Sequence, residues 1–73
     1  MTDDRYQKVR LHFFRDLGRT QRLRILIDLG GLPEGLSGPL TLSIELMAFD
    51  KVIQLGKLDA LEAETAREMK HAT

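Results

Sequence analysis

Two apolar runs in this chain stop at glycine, and those stops constrain the fold more than any other feature. The first is Arg22–Pro33, RLRILIDLGGLP. The second stop opens Gly56–Leu61, GKLDAL, after an apolar stretch that ends at Leu55. Glycine closes a helix in the left-handed conformation at little cost, and proline cannot continue one. The chain therefore reads as short helices with fixed corners. The expected fold class is all-α, a small bundle of four to five helices.

The 73 residues suit one domain, taken as residues 1–73. A chain this short buries a thin core, so contacts with a partner can supply part of its stability. Hydrophobic residues make up 42% and charged residues 30%, which is globular rather than disordered. There is no cysteine, which excludes disulfides and thiolate metal sites. No apolar run approaches the ~20 residues that span a bilayer. The start, MTDDRYQK, lacks the pattern of a signal peptide, so a cytoplasmic location is expected.

The net charge of zero conceals a split. Residues 1–30 hold seven basic and four acidic side chains, and residues 31–73 hold four basic and seven acidic ones. A bipolar surface of about +3 and −3 can steer association with a partner. Solvated helix faces give the same pattern with no such role.

The first helix is expected from about Asp4 to Leu17, with Tyr6, Val9, Phe13 and Leu17 as its apolar stripe. Leu11 and Phe14 widen that face, and Gly18 ends the helix. Thr20 is the expected N-cap of a second helix reaching Leu29, with Leu23, Leu26 and Ile27 on one face. A short strand over ILIDL fits the periodicity as well, but the cap and the glycine stop favour helix. Gly31 reads as slack. Residues 31–41 read as a loop packed on the core through Leu32, Leu36 and Leu40, with one short helical turn after Pro33.

The third helix begins at Thr41 or Ser43 and ends at Leu55. It carries two apolar rows, one of Ile44, Met47, Ala48, Val52 and Leu55, the other of Leu42, Leu46, Phe49 and Ile53. A helix apolar on two faces is central in its bundle or also meets a partner. Asp59 and Glu62 form a capping box for the fourth helix, whose inner face carries Leu61, Thr65 and Met69. Fraying is expected from about His71.

Chemistry-bearing motifs are weak. His12 and His71 are far apart and form no HExxH motif, so no metal or other cofactor is expected. GGLPEGLSG lacks the GK[ST] ending of a phosphate loop. Ser37, Thr41 and Ser43 have no histidine placed by sequence to activate them. Glu62 and Glu64 read as cap and surface groups before they read as an acid–base pair. An enzyme is the weakest reading. Nucleic-acid binding competes through Arg15, Arg19, Arg22 and Arg24, which cluster at the first corner. The zero net charge and the apolar second helix count against it.

At RLRILIDLGGLP and GKLDAL the chain resembles the bacterial effector-associated domains, small helical adaptor modules of the death-like class found in conflict and immune systems. The family pattern is an arginine-led R-x-x-L-x-x-x-L-G-L segment, a variable loop, and a central helix ending in A-x-x-x-G-[RK]-L-x-x-L. Arg22, Ile25, Leu29 and Gly30 match the first part, and Gly56, Lys57, Leu58 and Leu61 the second. Here LGGL stands where LGL is usual. The resemblance implies a non-catalytic adaptor that docks a protein partner, homotypic or heterotypic, and brings an effector enzyme to a sensor. A small nucleic-acid-binding or regulatory protein is the alternative, and a homo-oligomer remains open. The partner-binding candidates are Arg15, Arg19 and Arg22 on the basic half, Leu46 and Phe49 on the third helix, and Glu62 on the acidic half.

Overall fold

The computed structural model describes residues 4–36 and 40–71. Among these residues there are four helices and no strand: α1 (Asp4–Asp16), α2 (Arg19–Asp28), α3 (Leu42–Gln54) and α4 (Leu58–His71). The all-α bundle expected from the apolar periodicity is present, and ILIDL is helical. Residues 34–35 form a turn, so no fifth helix lies in residues 31–36. Asp3, Ser37 and the expected fraying beyond His71 lie outside the described residues.

Helix α1 packs on α4, α2 packs on α3 and α4, and α3 packs on α4. The buried core takes Val9, Phe13 and Leu17 from α1 and its end, and Ile25 and Leu26 from α2. It takes Ala48, Phe49 and Val52 from α3, and Leu61 from α4. α1 and α3 are not among the close helix pairs. Aromatic rings bridge them instead. Phe49 lies 5.2 Å from Phe13, 5.4 Å from Phe14 and 5.9 Å from Tyr6, centroid to centroid, all tilted or edge-on. Such arrangements suit the ring quadrupoles.

Both glycine stops close their helices as expected. Gly30 has φ +85° and Gly56 has φ +77°. In α2, Gly30 N–H donates to Ile27 C=O at 3.1 Å and Gly31 N–H to Leu26 C=O at 2.7 Å. In α3, Gly56 N–H donates to Ile53 C=O at 2.9 Å and Lys57 N–H to Val52 C=O at 3.2 Å. Each pair is a Schellman motif, which satisfies carbonyls a helix end otherwise leaves bare. The two sequence phrases also meet in space. Lys57 Nζ donates to Leu29 C=O at 2.9 Å, placing a cation at the carboxyl end of α2.

Several local expectations are corrected. Gly18, not Thr20, is the N-cap of α2, and it is extended (φ −78°, ψ 167°) rather than left-handed. Gln21 Oε1 accepts the Gly18 N–H at 2.7 Å, half of a capping box. Thr41 caps α3, its hydroxyl accepting the Ile44 N–H at 3.2 Å. Helix α4 starts at Leu58, because Leu61 N–H already bonds to Lys57 C=O at 2.9 Å. Asp59 and Glu62 are not its capping box; both bond the Arg5 guanidinium of α1. The buried pair on α2 is Ile25 and Leu26, with Leu23 and Ile27 only half-buried. On α3, neither expected row is the core face; the buried stripe is Glu45, Ala48, Phe49 and Val52, taken across both.

Gly31 is a tight joint rather than slack. A Cβ there would lie 2.7 Å from Ala48 O and 2.8 Å from Val52 Cγ2, so hydrogen is the largest substituent that fits against α3. Gly56 differs, since a Cβ would meet no atom within 4 Å and only its φ disfavours one. Gly56→Val is therefore expected to lower stability by about 1–2 kcal/mol through backbone strain, and Gly31→Ala by about 1–3 kcal/mol through overpacking. Urea denaturation measures both. A wild-type midpoint in Gly56→Val contradicts the cap, and one in Gly31→Ala contradicts the close approach.

Candidate functional site

The six partner-binding candidates occupy different environments. Arg22 is held inside the fold. Its Nε donates to Glu45 Oε1 at 2.7 Å and its NH1 to Leu17 C=O at 2.7 Å. The side chains are only 16% and 3% exposed. The guanidinium also lies 5.9 Å from the Phe14 ring centroid, within cation–π range. One arginine thus ties the end of α1, the start of α2 and the first turns of α3 together. Phe49 has no exposed surface, so it is core and offers nothing to a partner in this conformation. Glu62 is bonded to Arg5. Arg19 is exposed at the start of α2. Arg15 and Leu46 are brought together.

They meet on the outer side of the aromatic bridge between α1 and α3. There an open groove of about 470 Å³ is lined by Arg10, Leu11, Phe14, Arg15, Leu42 and Leu46. Leu11, expected beside the core, is 52% exposed, and Leu42 is 59% exposed. Sequence reasoning missed Arg10, Leu11 and Leu42 as groove residues. The available signal was an apolar residue on each helix outside its buried stripe. The opposite flank of α3 presents Ile44, Met47 and Leu55, with Met47 72% exposed. A smaller hollow of about 230 Å³ lies there, beside Gly31 and Lys51.

Charge is mostly spent within the fold. Arg5 pairs with Asp59 and Glu62, Arg22 with Glu45, and Arg24 with Glu68 at 3.7 Å. Each joins the basic N-terminal half to the acidic C-terminal half, so the split in sequence charge serves helix packing. The arginine cluster proposed for nucleic acid is correspondingly depleted. Arg15 bonds Asp16 at 2.9 Å, and Arg19 alone of those four arginines has no ion pair among the described residues. Helix α2 buries Ile25 and Leu26 against its neighbours and keeps Arg19, Thr20, Arg24 and Asp28 exposed.

Asp16 takes hydrogen bonds from Arg15 and from His12 Nδ1 at 2.8 Å. The Arg15 bond, then the His12 bond, holds its carboxyl down at about 2. Burial, then the bond to Asp50, pushes the Tyr6 phenol up. Among the described residues no group of three or more His, Cys, Asp or Glu is placed to hold a metal. No helix among them is long and apolar enough to cross a membrane. Thr65 is buried with no hydrogen-bond partner for its hydroxyl, and it sits on α4 away from the groove lining.

The third helix of this internally fastened fold keeps apolar side chains uncovered on both flanks. The chain belongs to the GTPase-associated adaptor domain family, whose model matches residues 5–67. That family description carries the adaptor part of the resemblance and names association with GTPases; it does not name the death-like or effector-associated class. No curated protein and no solved structure matches the chain.

Removing one member of the Arg22–Glu45 pair strands a buried charge. Arg22→Ala is expected to cost about 3–5 kcal/mol, a large share of a small domain's stability, whereas Arg22→Met with Glu45→Leu should recover most of it. Chemical denaturation of the three proteins checks this, and a loss under about 1 kcal/mol in Arg22→Ala would contradict the buried fastening. Asp16 makes a separate acid-side test. Its carboxyl is depressed in the fold, so its contribution is complete above the unfolded value of about 3.9 and is lost as pH falls through about 2. Asp16→Asn should flatten the acid unfolding profile in that window; an unchanged profile would contradict the pairing.

Proposed function

We propose that this chain is a non-catalytic, cytoplasmic adaptor domain that docks a different protein and so recruits an effector enzyme, in a GTPase-linked bacterial conflict or immune system. The observation that carries this reading is the uncovered apolar surface of α3. Leu42, Ile44, Met47 and Leu55 are all more than two-fifths exposed on a helix whose core stripe is already complete. Isolated apolar side chains on a surface need no explanation, but Ile44, Met47 and Leu55 uncovered along one flank, with Leu42 on the other, suit an interaction surface. The membership of the adaptor family supports the same reading, and so does the resemblance at Arg22–Pro33 and Gly56–Leu61.

A heterotypic partner is favoured over a copy of this chain. The acidic side chains of α3 and α4, namely Glu45, Asp50, Asp59, Glu62, Glu64 and Glu68, are each bonded within the fold. Their pairings within the fold compete with the arginines of a second copy. The reading is tested by light scattering on the purified chain alone and mixed with the GTPase and effector proteins encoded beside it. The expected result is a monomer that forms a stoichiometric complex with one of them. A strict monomer that binds none of these neighbours would contradict the proposal.

A further inference from the structure

We infer that the groove between α1 and α3 takes an amphipathic helix of the partner, one whose apolar stripe is flanked by carboxylates. The inference rests on the adaptor reading and adds to it the place and chemistry of docking.

The groove has the form such a helix needs. Leu11 comes from one wall, Leu42 and Leu46 from the other, and the Phe14 ring from between them. A helix laid in a groove anchors through apolar side chains one turn apart, and Leu42 and Leu46 stand one turn apart on α3. The floor is fixed before any partner arrives. Phe14 sits edge-on to Phe13 at 4.9 Å, tilted against Phe49, and under the Arg22 guanidinium. A preset floor lowers the ordering cost of binding.

The charge of the rim selects the occupant. Arg10 and Arg15 line the groove, and no acidic side chain does. Arg10 is exposed and forms no ion pair among the described residues, while Arg15 is shared with Asp16. Arg10 is therefore the principal contact for an incoming carboxylate and Arg15 the lesser one. Guanidinium groups favour planar, bidentate partners, and partly desolvated pairs at the rim of an apolar strip set orientation as well as rate. The chain's own α3 and α4 match this description less well, because their carboxylates already have partners within the fold. The other flank of α3 presents Lys51 with Ile44 and Met47, and nothing in the structure indicates what covers it.

The test uses the full chain, labelled with nitrogen-15, and three capped peptides of about 15 residues, roughly four helical turns. All three carry leucine at helical spacing, flanked by glutamate, lysine or glutamine. The glutamate peptide is expected to shift the amides of Arg10–Arg15 and Leu42–Leu46. It should bind at least about tenfold more tightly than the lysine peptide, and its affinity should fall with added salt. Arg10→Glu should reverse the preference between the glutamate and lysine peptides, and Leu11→Asp should abolish binding of all three. Both side chains are exposed, so each variant should keep a folded spectrum, and thermal melting verifies this. Equal binding of the glutamate and lysine peptides would overturn the inference. So would shifts centred on Ile44, Met47 and Leu55, self-association through the groove, or no shift at millimolar peptide. A native partner that binds the chain but maps to the other flank of α3 would overturn this inference alone and leave the adaptor reading standing.

Discussion

The fold depends on one buried charge and the arginine that neutralises it. Glu45 lies on the core face of α3, where an unpaired carboxylate would carry a desolvation cost with nothing to offset it. Arg22 meets it at 2.7 Å and spends a second donor on the carbonyl of Leu17, the residue that leads out of α1. One guanidinium therefore sets the corner between the first two helices and presses both onto the third. It also covers Phe14, so the position of the groove floor follows from the same contact. A purely apolar corner would stabilise as well or better, because a buried ion pair is weak support for stability. What the pair supplies is a defined arrangement, since a misplaced helix leaves a bare charge inside.

The second constraint is the meeting of the two glycine stops. Gly31 lies against Ala48 and Val52 with no room for a Cβ, so α2 ends in direct backbone contact with α3. Lys57, just past the end of α3, reaches back to the carbonyl of Leu29, the C-cap of α2. The two phrases that stand out in the sequence are thus one joint in space. Their match to an adaptor pattern is explained by the joint, and none of those residues is required to touch a partner. The proposed docking surface lies elsewhere, on a flank of α3 that the joint leaves uncovered.

Much of the fold was legible in the sequence, because helix stops and apolar periodicity are local. Gly30 and Gly56, the start of α3 near Thr41, and the stripes of α1 and α4 needed no knowledge of neighbours. The rotation of α3 was not legible. Its two apolar rows flank a stripe that includes Glu45, and no periodicity argument places a glutamate at the centre of a core. The role of Arg22 depends on a partner 23 residues away, and that of Arg5 on one 57 residues away; composition shows such charges only as a split between halves. Gly31 read as slack because its neighbours come from α3. The candidate surface was half visible for the same reason. Arg15 and Leu46 lie in the groove, whereas the sequence patterns place Leu11 beside the core and leave the row of Leu42 between core and partner, because they cannot tell a half-buried flank from a core face.

The central claim is that the internal arginines fasten the fold and leave the α1–α3 groove to the partner. Site-specific photo-crosslinking within the native complex tests it most directly, with the reactive residue placed in turn at Leu11, Leu42, Met47 and Leu55. Crosslinks to a partner helix are expected from Leu11 and Leu42, at segments rich in Asp and Glu. Crosslinks confined to Met47 and Leu55, or a partner segment that is basic, would contradict it.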